Sequence, residues 1–216
     1  MADYVKIESD RTPRGELFES DLFPTPLYRM KADNLPSTIN RDTIQEACET
    51  RKGWDKGRFI SNRNGWQSLD LVEANYKHLP ILGLWDVCVD LSTVIGEKQG
   101  LLSEYQHTVG SSWININSSK YDHNIHHCHP GTYLACVYYV KCDKDSGNLV
   151  FSDPRPGNAT NIPHADNLTT YTNVEVNIEP EQGELVLFPG WLYHYVMPNQ
   201  NNQKRITIAI NIVLRR

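Results

Sequence analysis

From about Leu101 onward the chain breaks into short runs rich in Val, Ile, Tyr and Thr, and this restricts the fold more than any other feature. The runs are SSWININ (111–117), TYLACVYYV (132–140), NLVFS (148–152), YTNVEVNI (171–178), GELVLFP (183–189), LYHYVM (192–197) and RITIAINIVL (205–214). Clusters of Gly, Pro, Asn and Asp separate them. Many short strands punctuated in this way predict a sandwich or barrel. The expected fold class is mainly β, and a double-stranded β-helix, the cupin-like variant of the jelly roll, fits the count.

The first hundred residues read differently. Ser37 and Thr38 precede a segment from about Asn40 to Arg51 with Ile44, Ala47 and Cys48 at helical spacing, a capped amphipathic helix. A second helix is expected from about Ile81 to Lys98, with Ile81, Leu84, Trp85, Cys88, Leu91 and Ile95 on its apolar face. Between them KGRFISNRNGWQSLD is rich in Asn, Gly and Ser and reads as loop. The helices are expected to pack on one sheet. Residues 1–100 would then be a helical and loop extension on a catalytic core of residues 101–216, together one structural unit.

The last run alternates. Ile206, Ile208, Ile210 and Ile212 share one face, while Arg205, Thr207, Ala209 and Asn211 share the other, because strand side chains point to opposite sides in turn. The isoleucine face needs a core layer. The small polar face with one cation suits the lining of a wet pocket, or equally a solvent-facing edge strand.

The formal net charge of -5 makes the chain a poor general binder of nucleic acid or anionic membranes. No apolar run approaches the roughly 18 residues of a membrane span. The N-terminus carries charges where a signal peptide needs an apolar stretch, so a cytoplasmic location is expected, and the sequons at Asn117, Asn158 and Asn167 carry no weight. Five cysteines, an odd number with no CxxC, argue against a disulfide framework or zinc ribbon.

Four of the eight histidines lie in HNIHHCH (123–129). His127 and His129 are two apart, so in an extended segment both point the same way and can share one metal ion, whereas His126 and Cys128 point oppositely. The alternative is a His-rich loop without metal. A third ligand is needed, and His194, just after GELVLFP, is the best candidate. Taken alone it reads more readily as a satisfied core or surface histidine.

HCHPGTYLACVYYVKCDKDSGNLVFSDPR followed by GELVLFPGWLYHYVMPNQNNQKRITIAIN resembles the 2-oxoglutarate/Fe(II) dioxygenase superfamily. More narrowly, it resembles a prolyl-hydroxylase-like family of marine bacteria and cyanophages. LFPTPLY (22–28), SNRNGWQS (61–68) and SSWININ (111–117) also match, so the resemblance runs from about Leu22 to Asn211. It implies an oxidoreductase that converts 2-oxoglutarate and O2 to succinate and CO2 while oxidising a peptide or small-molecule substrate. Fe(II) is the implied metal and ascorbate a supporting reductant. In phage the site of action would be the host cytoplasm, and a homodimer is compatible with the family.

Position by position, His127 matches the first ligand and His194 the distal one. His129 stands where the superfamily has a carboxylate, which makes a three-imidazole set. Arg205, eleven residues past His194, matches the basic residue that holds the far carboxylate of 2-oxoglutarate. Tyr139 matches a tyrosine that bonds the same carboxylate, Thr207 shares the Arg205 face, and Asn115 is a candidate pocket residue beside Trp113. Asp153 and Asp122 are the available substitutes for the missing carboxylate. Arg155 reads either as a ligand contact or as a surface ion pair. Trp191 and Tyr193 would stack on a substrate or close the barrel end. The segment 156–170, with His164, is a candidate lid. Two other readings compete: a three-His cupin dioxygenase that does not use 2-oxoglutarate, and an inactive β-helix binding module. Arg205 and Tyr139 separate the first of these from the main reading, since such an enzyme needs no carboxylate clamp.

Overall fold

The computed structural model describes residues 5–7, 17–73, 80–155, 166–167, 169 and 171–216. In chain order the elements are β1 (Val5–Ile7), β2 (Leu17–Glu19), β3 (Tyr28–Met30), α1 (Arg41–Lys52), β4 (Asn62–Arg63), β5 (Trp66–Gln67) and α2 (Leu82–Lys98). They continue with β6 (Gln106–Asn117), β7 (His123–His127), β8 (Leu134–Lys141), β9 (Leu149–Ser152), β10 (Glu175–Ile178), β11 (Leu185–Pro189), β12 (His194–Val196) and β13 (Arg205–Arg215). A six-stranded sheet has the order β3-β11-β8-β13-β6-β5, and a five-stranded sheet the order β10-β9-β12-β7-β4. All pairings are antiparallel. The β1–β2 ribbon stands apart from both sheets. No helix among the described residues is long and apolar enough to cross a membrane.

The alternation of β13 resolves in favour of the pocket, because β13 is the central strand of the larger sheet, between β8 and β6. Ile206, Ile208, Ile210 and Ile212 are fully buried in one cluster with Ile44 and Cys48 of α1 and Leu84, Cys88 and Ile95 of α2. Burying each such side chain stabilises by about 1.5–3 kcal/mol. The opposite face of the larger sheet contributes Ala135, Tyr139, Val186 and Phe188 to a second cluster with Leu149, Phe151 and Val196 of the smaller sheet. The two sheets therefore enclose a space into which Arg205 and Thr207 point, and both are buried.

Three local expectations differ from the structure. The cap of α1 is Asn40, whose Oδ1 accepts from the Thr43 N–H at 3.0 Å, not Ser37 or Thr38. β7 was absent from the strand runs because HNIHH holds a single aliphatic residue, Ile125. The segment read as loop between the helices contains β4, which pairs with β7, and β5, which pairs with β6. Two-residue strands show no periodicity, but this segment joins the two sheets, β4 lying at the edge of the smaller and β5 at the edge of the larger. The Asn62 carboxamide, nearly fully buried, braces it by accepting from Ile60 N–H and donating to the Gly65 and Arg58 carbonyls.

Candidate metal and cosubstrate site

β7 and β12 are neighbours in the smaller sheet, and their register sets His127 opposite His194. His129 lies just beyond β7. Its N–H donates to the Gly190 carbonyl at 2.7 Å, and the Gly190 N–H donates to the Tyr133 carbonyl. Gly190 permits this approach, since a Cβ there would collide with the Thr132 carbonyl. The ligand atoms of His127, His129 and His194 all lie within 4.8 Å of one another. Ring centroids are 5.3 Å apart for His127–His129, 4.4 Å for His127–His194 and 5.1 Å for His129–His194.

Each ring has its Nδ1 occupied by an oxygen acceptor. His127 Nδ1 meets the Ile125 carbonyl at 2.6 Å, His194 Nδ1 the Leu192 carbonyl at 2.9 Å, and His129 Nδ1 the Asn211 Oδ1 at 2.6 Å. A carbonyl oxygen can only accept, so each Nδ1 carries the proton and each Nε2 keeps its lone pair. Contacts of this kind would orient the three imidazoles toward a shared metal. Asn211 is itself held by donation from Nδ2 to Ser111 Oγ at 3.0 Å. Replacing Asn211 by Ala is expected to weaken metal binding by roughly 10–100-fold, measured as the Fe(II) dissociation constant under argon. An unchanged constant would remove Asn211 from this role.

The rings are also held neutral. Burial lowers His194 to about 3, with the nearby His127 adding to the effect. Burial lowers His129 to about 4, against the raising effect of its Asn211 bond. His127 is lowered as well, again mainly by burial. Unfolded histidines titrate near 6.5, so the unfolded chain takes up protons that folded His129 and His194 refuse. The metal-free protein should therefore keep full stability from these two groups above pH 6.5 and lose it as pH falls. Between about pH 5.5 and 4 the two together contribute a slope of roughly 2–2.5 kcal/mol per pH unit, which declines toward pH 4 as folded His129 itself takes up a proton. Urea melts of metal-free protein across this range, against a His129→Gln/His194→Gln double variant, measure it; identical pH slopes would contradict it.

The remaining candidates fall into place by register. Gln67 of β5 lies opposite Asn115 of β6, Asn115 opposite Thr207 of β13, and Thr207 opposite Tyr139 of β8. Directly opposed residues share a face, so these four line one row across the floor of the space between the sheets. Arg205 stands beside the row, opposite Asn117, with its guanidinium 5.2 Å from the Tyr139 ring centre. Arg205 is 2% exposed and Tyr139 fully buried. The Tyr139 hydroxyl, Arg205 Nε, Asn115 Oδ1 and Gln67 Oε1 are buried without a hydrogen-bond partner. Burial pushes the Tyr139 phenol up, while Arg205 pulls it the other way. Glu184, whose carbonyl accepts from Tyr139 N–H, spends its carboxylate on Arg29 at 2.6 and 2.9 Å. Among the described residues no carboxylate pairs with Arg205.

The other residues stand elsewhere. Asp122 caps a turn, its Oδ2 accepting from Ser118 and Ser119 N–H at 2.8 and 2.9 Å. The Asp153 carboxylate is taken by Arg155 in bonds of 2.7–3.2 Å, so Arg155 is an ion-pair partner. His126 points to the outer face, stacked on Tyr193 at 5.0 Å and bonded to Ser152 Oγ at 2.9 Å. Trp191 and Tyr193 are half exposed there. Trp113 faces inward, its ring 5.6 Å from that of His129. His164 and most of the 156–170 segment lie outside the described residues. Sequence reasoning passed over Asn211, although alternation had put it on the Arg205 face, and over Gln67, which sat in a matched motif without a role.

Residues 111–211 match the model of the family described as "Putative 2OG-Fe(II) oxygenase". The matched span contains all three histidines, Asn115, Tyr139, Arg205, Thr207 and Asn211. No curated protein matches. A prolyl-4-hydroxylase from Pseudomonas putida is similar in structure, with TM-score 0.59 and 14% identity over 89% of this chain and 94% of that one. A prolyl hydroxylase from Trichoplax adhaerens, solved with a hypoxia inducible factor peptide fragment, gives TM-score 0.57 and 15% identity over 87% and 83%. The viral collagen prolyl hydroxylase of Paramecium bursaria Chlorella virus-1, solved with 2-oxoglutarate, gives 0.53 and 12% over 86% and 94%. These likenesses establish a shared fold. The family match covers a little under half of the chain and includes the whole three-imidazole group.

Proposed function

We propose that the protein is a prolyl-hydroxylase-like hydroxylase in which His127, His129 and His194 hold Fe(II) while Arg205 and Tyr139 grip the far carboxylate of 2-oxoglutarate. Thr207 and Asn115 line the same pocket. The observation that carries this reading is the buried Arg205 guanidinium with an unpartnered Nε beside an unpartnered Tyr139 hydroxyl. A buried cation without an anion is costly, and removing that cost is what a bound carboxylate does. A guanidinium matches a carboxylate in bidentate geometry, and the phenol adds a further donor.

The donor set fits iron. Three neutral imidazoles are ligands of borderline softness that suit Fe(II), and they leave open positions for a chelating cosubstrate. His129 in place of a carboxylate leaves the full metal charge to be balanced, and dianionic 2-oxoglutarate supplies the opposite charge. Iron held by His127, His129 and His194 would supply the O2 chemistry by which 2-oxoglutarate becomes succinate and CO2, with one oxygen atom going to succinate and the other to the substrate. The protein's own contribution is positional. The Nδ1 acceptors fix the rings, Phe188 packs edge-on against His194 at 4.7 Å, and Phe151 closes the wall behind it. Those aromatic surfaces keep water off one side of the site.

The test is succinate release by purified protein given Fe(II), ascorbate and 2-oxoglutarate. Turnover that requires both iron and 2-oxoglutarate is expected. O2 consumption with no succinate would favour instead the three-His dioxygenase that makes no use of 2-oxoglutarate.

A further inference from the structure

We propose that Arg58 is a second anion-binding residue, which selects substrates with a free carboxylate close to the carbon that is oxidised. This deepens the reading above and rests on it. Arg58 forms an antiparallel bridge with Gln67, its N–H donating to the Gln67 carbonyl at 2.8 Å. It therefore extends the inward row to Arg58, Gln67, Asn115, Thr207 and Tyr139. Gly57, at φ +70°, brings Arg58 onto β5, where a Cβ at 57 would strike the Trp66 indole and the Gln67 carbonyl.

The guanidinium lies 5.6 Å from the centre of the Trp113 ring, and that ring lies 5.6 Å from His129. Two such steps connect Arg58 to the metal ligands. Arg58 Nε is buried and has no hydrogen-bond partner. Asp55, the nearest acid in sequence, is already engaged by Arg51 and by the Gly57 and Leu69 N–H groups. Among the described residues no carboxylate pairs with Arg58.

The cosubstrate cannot serve both cations. Arg58 is three strand positions from Arg205 along the sheet, about 14 Å of backbone, and one small diacid chelating iron between them reaches only one. The anion for Arg58 must come from a second molecule in the same pocket, which is the position of the substrate. A guanidinium favours a planar carboxylate, which it can hold in bidentate fashion, over a neutral amide. Next to it, the unpartnered Gln67 Oε1 accepts from an N–H or O–H on the same ligand. A free amino acid, or the last residue of a peptide, presents both groups, whereas an internal peptide residue has no such charge.

The experiment uses the Fe(II)-loaded protein with ascorbate and 2-oxoglutarate, and the probes are the free L-amino acids and their carboxamides. Succinate formation is followed with and without each probe. At least one acid should accelerate it while the matching carboxamide does not. Arg58→Gln should raise the half-saturating concentration of that acid tenfold or more, and Arg58→Lys should recover part of the loss. Acids and carboxamides acting alike, no acid acting at all, or an acid response unchanged in Arg58→Gln would each overturn the assignment. The acid–carboxamide comparison on the wild-type protein needs no variant, so it decides even if Arg58→Gln fails to fold. Absence of any succinate from the wild type would overturn the oxygenase reading itself, which is a different outcome from succinate formation indifferent to the probes.

Discussion

Arg205→Met is expected to raise the KM for 2-oxoglutarate by roughly 100-fold or more, because removing one member of a buried, hydrogen-bonded charge pair costs about 3–5 kcal/mol. The second half of the result is what makes it diagnostic. In the protein without cosubstrate, Arg205 is a buried charge with an unpartnered Nε and no carboxylate beside it among the described residues. Methionine of similar length removes that burden. Thermal unfolding without 2-oxoglutarate should therefore occur at the same temperature as wild type or higher, while stabilisation by added 2-oxoglutarate disappears. A structural arginine would give the reverse, with lower stability everywhere and an unchanged KM. Tyr139→Phe, which deletes one fully buried hydroxyl, should move KM in the same direction by a smaller factor.

His194→Ala should remove Fe(II) binding, with an effect larger than the roughly 10–100-fold of an orienting partner such as Asn211. His194 sits at the start of β12, directly across from His127, and is the only one of the three supplied by a different part of the chain from the HNIHHCH run. Its loss leaves two imidazoles, too few to hold the metal in one place. Succinate formation should fall by about three orders of magnitude, as for a group whose loss removes the reaction's cofactor. Anaerobic titration with Fe(II) separates this from a folding defect. Retained iron affinity in His194→Ala would show that the metal is held elsewhere.

Much of the fold could be read from β-strand chemistry. The isoleucine alternation of β13 demanded a core layer, and the structure provides it in α1, α2 and the outer face of the larger sheet. Pattern could not say whether the Arg205 face was a pocket or an edge. Only the central place of β13 between β8 and β6 decides that, and sheet order is a long-range property. β4 and β5 were invisible because two residues show no period. Their consequence is larger than their length, for they bring Arg58 and Gln67 onto the same face as Tyr139. The histidine pair was legible as two residues on one side of an extended segment, yet His129 lies beyond β7. It is aimed by the Gly190 carbonyl and by Asn211, contacts that join residues far apart in sequence. The His129 tautomer depends on such a distant partner, whereas His127 and His194 each donate to a carbonyl two residues earlier in the chain.

In the proposed site three imidazoles hold one metal and Arg205 anchors the cosubstrate beside it. The most direct measurement is a crystal structure of the protein grown under argon with Fe(II) and 2-oxoglutarate. A single metal is expected on the Nε2 atoms of His127, His129 and His194, with a carboxylate of 2-oxoglutarate against the Arg205 guanidinium and the Tyr139 hydroxyl. A metal bound by Asp122 or Asp153, or a 2-oxoglutarate whose carboxylates both lie away from Arg205, would contradict it.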